Sequence, residues 1–365
     1  MAYPAKHCGA RWKLGRRCLL GGGASLVLPV MMPWRRAAAM SEAMAAETAS
    51  ENMLLVGGPA GGKLAHWANL LCPLLGPALA AGGILNWITV GAADGVTAAN
   101  QFETQVSPDG TTAMLLPGSA AIAQLVGDPR ARFDPAAWVA GLAGVSSTLI
   151  VGRVPLAEMA GGAPLRVLAS DPTGSDLPTL LGLSLLGYDV KPVNPVTSID
   201  DASIAAMRGD IDVATISNAG SGDLTHWQQS GLAPLFTLGA LDDTGTAILD
   251  PTFPALPSLE NLLIAKGVDG TKPLPTAWRA LAVAKQLALG LVLPQLTPAD
   301  RVAQWRRACA DSIASIAIQA IAAAESLRLT TQPTAAAIIS SITAPPDAQL
   351  ELHEWLANRL GWRPT

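Results

Sequence analysis

Two glycine-containing turns carry the residue types best suited to holding a ligand. The first, Gly57-Gly58-Pro59-Ala60-Gly61-Gly62-Lys63, follows the apolar run Met53 to Val56. It precedes Leu64, Trp67, Leu70 and Leu71, which recur at helical spacing. Strand, Gly-rich turn and helix form the setting of a phosphate loop, and Gly57-x-x-x-x-Gly62-Lys63 has its spacing. The magnesium-holding Ser or Thr of such a loop is replaced by Leu64, which argues against a nucleotidase. The general property survives: glycines let backbone N–H groups approach a ligand, and a helix start favours an anion. A carboxylate suits the turn as well as a phosphate. The second turn, Asp171-Pro172-Thr173-Gly174-Ser175, repeats the arrangement, with Ser170, Thr173 and Ser175 as hydroxyl donors or as plain helix caps. Two lobes closing on an anion would each present one such loop.

Other chemistry has less support. His66, His226 and His353 are far apart and have no His or Cys partner three or four residues away, the spacing a metal site on a helix needs. No G-x-S-x-G elbow is present, although a triad can be assembled from distant residues. The reading is no catalytic residue, no metal and no cofactor.

The elements that position these turns follow from the apolar pattern. Met53 to Val56, Ile84 to Val90 and Thr111 to Leu116 read as strands, and Leu64 onward and Ala98 to Gln105 as helices. Pro73 and Gly76-Pro77 are expected to interrupt or end the first helix. This alternation predicts an α/β domain with a mainly parallel sheet. Trp138 to Gly152 reads as one crossing strand. Pro164 to Ser170 restarts the alternation with Leu165, Val167 and Leu168, with a helix over Leu177 to Leu186, a helix over Ser203 to Arg208, and strands at Ile211 to Ile216 and Pro234 to Gly239. After Trp278 the pattern is mostly helical, with good formers from Pro298 to Leu329.

The chain has 365 residues, which allows two domains of ordinary size. Half of the residues are apolar and 14% are charged, values that exclude a disordered chain. The formal net charge of −4 argues against nucleic acid as a partner. Seven basic and no acidic residues fall in the first 39: Lys6, Arg11, Lys13, Arg16, Arg17, Arg35 and Arg36. Cys18 to Trp34 is apolar, and Ala37-Ala38-Ala39 supplies small residues. Together these predict an export signal over residues 1–39, of the Sec or twin-arginine type, and a periplasmic address. Without those 39 residues, 17 basic residues face 28 acidic ones, a charge of −11. Cys8 and Cys18 would leave with the signal. Cys72 and Cys309 remain, either as a disulfide or as two separate buried thiols. The uncharged stretch Leu64 to Ala93 holds Pro73, Pro77, His66, Asn69 and Asn86, and reads as helix, turn and strand rather than a membrane span.

The order of these segments resembles the tripartite tricarboxylate transporter substrate-binding proteins, the TctC or Bug family, over about residues 52–345. Leu55-Val56-Gly57-Gly58-Pro59-Ala60-Gly61-Gly62 is similar to the family's first strand and P-x-x-x-G-G loop. Ser107-Pro108-Asp109-Gly110-Thr111-Thr112 resembles its P-D-G-Y-T turn, and Arg132-Phe133-Asp134-Pro135 with Trp138 to Leu142 its Y-D-P-x-x-D-F-x-P-I segment. Leu168-Ala169-Ser170-Asp171-Pro172-Thr173-Gly174-Ser175 is similar to the A-S-x-G-x-G-S loop, Arg208-Gly209-Asp210-Ile211-Asp212 to the G-x-V-D strand entry, and Phe253 to Glu260 to F-P-D-V-P-T-x-x-E. Ala65, Pro178, the short Val90 to Gly95 segment and Pro192-Val193-Asn194 depart from the family pattern.

The resemblance implies a periplasmic-binding-protein fold of type 2: two α/β lobes, a cleft and two crossovers. Lobe 1 would comprise 52–150 and 266–365, and lobe 2 151–265. It implies a monomer that binds a small organic acid without chemistry and delivers it to the membrane permease subunits of the transporter. The family's ligand-holding positions carry over onto Ala60, Gly61, Gly62, Ser170, Thr173, Gly174 and Ser175. Asp212 is expected at a strand end near the cleft, and Ser119 after the third strand. Two alternatives accompany this reading: a sensory or scaffolding protein that kept the fold and lost transport, and an exported hydrolase using Ser175 or Ser119.

Overall fold

The computed structural model describes residues 52–79, 83–159, 163–194, 199–219, 225 and 227–363. The expected export signal, with Cys8 and Cys18, lies outside the described residues, as does His226. The described chain opens as a regular alternation: β1 (Met53–Gly57), α1 (Lys63–Leu79), β2 (Asn86–Val90), α2 (Val96–Gln105), β3 (Thr112–Leu116) and α3 (Gly118–Leu125). β1 pairs in parallel with both β2 and β3. A strand inside such a unit is buried on both faces and so reads as a continuous apolar run. In β1, Leu54 and Val56 join the core under α1, while Leu55 joins the core on the opposite face.

Pro73 and Pro77 do not end α1, which runs 17 residues through both. Its face of Trp67, Leu71 and Leu75 is fully buried, and that packing outweighs the amide hydrogen bonds the prolines cannot make.

Trp138 to Gly152 is two strands rather than one. β4 (Val139–Ser146) and β5 (Thr148–Gly152) lie in different sheets, with Ser147 alone between them. The Ser147 hydroxyl bonds to Asp250 Oδ1 at 2.8 Å and to Thr252 Oγ1 at 2.7 Å. The second sheet then builds from β6 (Leu165–Leu168), α4 (Leu177–Leu185), β7 (Val190–Val193), α5 (Ile199–Arg208), β8 (Val213–Ser217) and β9 (Ala233–Thr237). The chain returns through a short hairpin, β10 (Ala240–Leu241) with β11 (Ala247–Ile248), and two helices, α6 (Leu259–Ala265) and α7 (Pro273–Gln286).

Beyond α7 the expectation of helix fails at β12 (Leu287–Leu293), a strand at the centre of the first sheet. Its sequence, Leu-Ala-Leu-Gly-Leu-Val-Leu, lacks alternation because it is covered on both faces. The helical stretch after it divides into α8 (Ala299–Ile313) and α9 (Ile316–Ala324), bent by 72°. β13 (Leu327–Thr330) then ends helix where a helix to Leu329 was expected. α10 (Thr334–Ser341) and α11 (Pro346–Leu360) complete the chain. No single helix among the described residues is long and apolar enough to cross a membrane.

The first sheet has the order β13-β4-β12-β3-β1-β2 and the second β7-β6-β8-β5-β9. Both are mixed, not mainly parallel: β12 runs antiparallel to β3 and β4, and β5 antiparallel to β8 and β9. Three buried indoles tie distant segments to one another. Trp67 Nε1 donates to Glu325, Trp305 Nε1 to the Gly110 carbonyl and Trp278 Nε1 to the Pro178 carbonyl, at 2.9–3.0 Å. A buried indole N–H needs such a partner.

Cys72 and Cys309 are both free and buried, which settles the disulfide alternative against pairing. Burial pushes each thiol up to about 12. At pH 8 the thiolate population, and with it the rate of alkylation, should fall roughly a thousandfold below that of an ordinary cysteine. Peptide mapping after iodoacetamide treatment should find both unmodified in native protein and both modified in denaturant. Labelling of either in the native state would show that its surroundings are not those described.

Candidate functional site

The three parallel strands of the first sheet end in loops that lie side by side. β1 stops at Gly57, where a Cβ would come within 3.4 Å of Gly95 and Pro117. Gly58 donates its amide to the Val90 carbonyl at 3.0 Å, joining the end of β1 to the end of β2. Its φ of 149° is one that side chains rarely adopt, which accounts for glycine there. The turn closes with the Gly62 amide on the Pro59 carbonyl at 2.9 Å, and α1 starts at Lys63. Ala60 and Gly61 are exposed, and their amides make no hydrogen bond to another described residue. This is the position where open α/β sheets bind ligands, at the carboxyl ends of parallel strands.

Ser119 belongs to the same group of loops. Its hydroxyl donates to the carbonyls of Asp94 and Ala93, at 3.2 and 3.5 Å, so it pins the β2–α2 loop to the start of α3. Arg130 pins the loop from the other side through Asp94, at 2.9 Å. Lys63 does not point at a phosphate position. Its ammonium pairs with Glu325 at 3.8 Å, and Glu325 also accepts from Trp67 and faces His66 at 3.5 Å. The carboxylate thus anchors the first two turns of α1. His353 makes a hydrogen bond with the Leu125 carbonyl, and no group of described residues could hold a metal ion.

In the second sheet the loop between β6 and α4 gathers Ser170, Thr173, Gly174 and Ser175 at the carboxyl end of β6. Most of its donors are used within the loop. Asp171 Oδ2 accepts the Ser175 amide at 3.1 Å, while Asp176 Oδ2 accepts the Asp171 amide at 2.9 Å and the Ser170 hydroxyl at 3.4 Å. The amides of Gly174 and Asp176 bond to the Asp171 carbonyl. Two side-chain carboxylates therefore occupy the positions where an anionic ligand was expected to accept from the Ser175 amide and the Ser170 hydroxyl. Gly174 is explained by the same arrangement, since a Cβ there would lie 1.9 Å from Asp171 Oδ2. The Ser170 amide, the Thr173 amide and hydroxyl and the Ser175 hydroxyl make no hydrogen bond to another described residue.

The last turn of α7 meets both groups of loops. A Cβ on Gly118 would lie 1.8 Å from the Ala284 carbonyl oxygen, so the start of α3 rests directly on α7. On the other side Lys285 lies within the electrostatic reach of Asp176 and Asp171. Burial pulls its ammonium below the ordinary lysine range, and the two carboxylates oppose that. It forms no ion pair with another described residue. Sequence reasoning missed Lys285 and Asp176. The available signal was a lysine in an otherwise Ala- and Val-rich helix turn, where charge is rarely buried without purpose.

Asp212 is not near this loop. It precedes β8 and accepts from the Arg166 amide and guanidinium at 2.6–2.9 Å, at the amino ends of β6 and β8. The expectation that it approaches the cleft is corrected accordingly. A strand entry lies at the opposite edge from the strand exits that form the loops. Burial pushes the Asp212 carboxyl up, but the hydrogen bonds and charge of Arg166 outweigh it and leave the group below the usual carboxylate range.

No protein-family model matches the chain, and no curated protein matches it in sequence. Solved structures do. A TctC solute-binding protein from Polaromonas, without ligand, is 15% identical over 83% of this chain and 98% of its own, with a TM-score of 0.57. The periplasmic binding protein BugD is 16% identical over 85% of this chain and 97% of its own, with a TM-score of 0.49. MatC from Rhodopseudomonas palustris, with bound malate, is 17% identical over 80% and 96%, with a TM-score of 0.48. The likeness to the Polaromonas protein is one of fold: a two-sheet α/β periplasmic-binding-protein architecture.

Two measurements test the local account. Gly174→Ala should lower stability by about 1 kcal/mol in urea unfolding, because the added methyl displaces the Asp171 carboxylate from the Ser175 amide. Gly61→Ala, where a Cβ has nothing within 4 Å, should stay within about 0.5 kcal/mol of the parent. Equal effects would contradict the loop geometry. For Asp212, a depressed folded pKa means stability that is present above the unfolded value and lost as pH falls through the folded one. Asp212→Asn should therefore cost less than about 1 kcal/mol at pH 7, the partial exposure of the pair limiting it, and converge with the parent below about pH 4. A cost that persisted in acid would rule out the ion pair as its source.

Proposed function

We propose that the chain is a divergent member of the TctC or Bug family and a periplasmic receptor. It captures a small organic acid between the loops of its two sheets and passes it to a membrane permease of the tripartite tricarboxylate type, without turnover. The observation that carries this reading is the pair of open amides at Ala60 and Gly61, at the strand ends where this fold binds ligands. The fold likeness to a TctC solute-binding protein and the six motif resemblances in order support it.

In this reading the two lobes are 52–147 with 266–365, and 148–265, the boundary expected at 150 moving to Ser147 because β5 belongs to the second sheet, and the receptor acts as a monomer. Ala60, Gly61 and Gly62 form the first wall of the site, with Ser119 holding that wall in shape. Thr173 and Ser175 hydroxyls form the second wall. Lys285 supplies the positive charge that an acidic protein otherwise lacks, tempered by Asp171 and Asp176. A ligand of low charge suits that balance better than a tricarboxylate.

A thermal-shift series with succinate, malate, adipate, benzoate and glutamate tests the reading. At least one should raise the melting temperature by several degrees, since a ligand at a hundred times its Kd stabilises the folded state by about 2.7 kcal/mol. Gly61→Leu should leave the melting temperature of the free protein unchanged and abolish the ligand-induced shift, because the side chain fills open space at the loop. The absence of any shift across the series would overturn the reading. A shift that survives Gly61→Leu would move the site elsewhere.

A further inference from the structure

A cavity of about 420 Å³ lies between α6, α7 and the β10–β11 hairpin. None of the residues of the proposed carboxylate site lines it. Well-packed interiors leave few voids larger than a water molecule, and cavities of roughly 300–1,000 Å³ lined mainly by apolar side chains are the usual form of a small-molecule site. Its walls are apolar in larger part, with Leu238, Trp278, Val283 and Ile264 contributing. The charged residues on its surface are Glu260 and Arg279, and they are bound to each other: Arg279 Nε lies 3.0 and 3.1 Å from the two Glu260 oxygens, and a guanidinium nitrogen also contacts that carboxylate. The same guanidinium donates to the Gly270 carbonyl at 2.6 Å. The cavity thus offers no uncompensated charge. A charged ligand would have to be desolvated without a partner, which costs several kcal/mol.

Five uncharged polar side chains line the space: Thr246, Ser258, Asn261, Gln286 and Ser341. Gln286 is 8% exposed and spends one N–H on the Ala282 carbonyl at 3.2 Å. Its carbonyl oxygen makes no hydrogen bond to another described residue. Asn261, on the exposed side, uses its Oδ1 with the Ser258 hydroxyl and has its amide nitrogen available. A mainly apolar cavity that offers neutral donors and acceptors but no free charge suits a molecule with an apolar body and a neutral polar group.

We propose that this cavity is a binding site for a neutral, ring-containing small molecule bearing one hydroxyl or amide, separate from the organic-acid site. An engineered void of about 150 Å³ takes up benzene, so this volume accommodates two fused rings. Leu238, Ala240 and Leu241 belong to the segment that leaves the second sheet after β9, so an occupant touches the return path between the sheets.

The test uses 2-naphthol and its charged counterpart 2-naphthoate as probes, in calorimetric titration of the full chain. 2-Naphthol should bind at least tenfold more tightly than 2-naphthoate. Ala247→Trp, at an exposed position on the cavity lining, should weaken 2-naphthol at least tenfold without altering the carboxylate-induced thermal shifts. Ala240→Trp provides the same block from a second position should the first variant fold poorly. Preference for 2-naphthoate, or 2-naphthol binding unchanged in both tryptophan variants, would overturn the proposal. Because the probe is neutral and the blocks lie outside the organic-acid loops, failure here leaves the receptor reading standing, and the reverse also holds.

Discussion

One residue separates the last position of β4 in the first sheet from the first position of β5 in the second, and the arrangement of the two sheets depends on that step. A chain that changes sheets within a single residue cannot hide its turn inside regular hydrogen bonding. The Ser147 carbonyl accepts the Ala219 amide at 3.2 Å instead, and its hydroxyl reaches Asp250 and Thr252 on the return path. Asp250 is itself 2% exposed, and its Oδ1 also accepts the Thr252 amide at 2.9 Å. The outgoing and returning segments are therefore bonded to each other where they pass. With both segments fixed at this point, the strand-end loops of both sheets meet the last turn of α7.

The loops at those strand ends solve one electrostatic problem in two ways. A helix start and a tight turn both leave N–H groups that need acceptors. After β6 the acceptors are built in, as Asp171 and Asp176 fold back onto the loop that carries them. After β1 no described carboxylate accepts from the loop, and the amides of Ala60 and Gly61 remain for solvent or solute. The two loops resemble each other in sequence, yet only one retains most of its donors. The difference lies in acidic residues that a motif of glycines and hydroxyls treats as filler. Lys285 completes the picture: its charge is held within electrostatic reach of Asp176 and Asp171, the carboxylates of the second loop.

Much of the architecture was legible along the chain. Leu54, Leu55 and Val56 followed by glycines mark a buried strand and its exit turn, and the same grammar recurs at Leu165 to Ser170. Three features were not legible, each for a physical reason. β12 is covered on both faces, so its residues carry no period that separates strand from buried helix. Pro73 and Pro77 look like helix breakers because local cost is visible in sequence, whereas the buried face of Trp67, Leu71 and Leu75 that offsets it is visible only in the fold. Asp212 fits a strand-entry motif, but a motif does not say which end of a sheet faces the cleft, and Arg166 holds it at the far one.

The order of strands in the first sheet bears on how the molecule is made. β12 lies between β3 and β4, and β13 closes the edge beyond β4, so the sheet receives its central and outer strands from residues 287–330. Trp67 in α1 finds its acceptor on Glu325, 258 residues later. A ribosome that has produced the first 280 residues has released a parallel three-stranded piece with an open edge and an unanchored helix. Exposed edges and unsatisfied apolar faces are the features that chaperones bind and that aggregate when left alone. The helix that starts at the amino-terminal loop of the candidate site therefore gains its Glu325 anchor late, when nearly all of the chain has emerged.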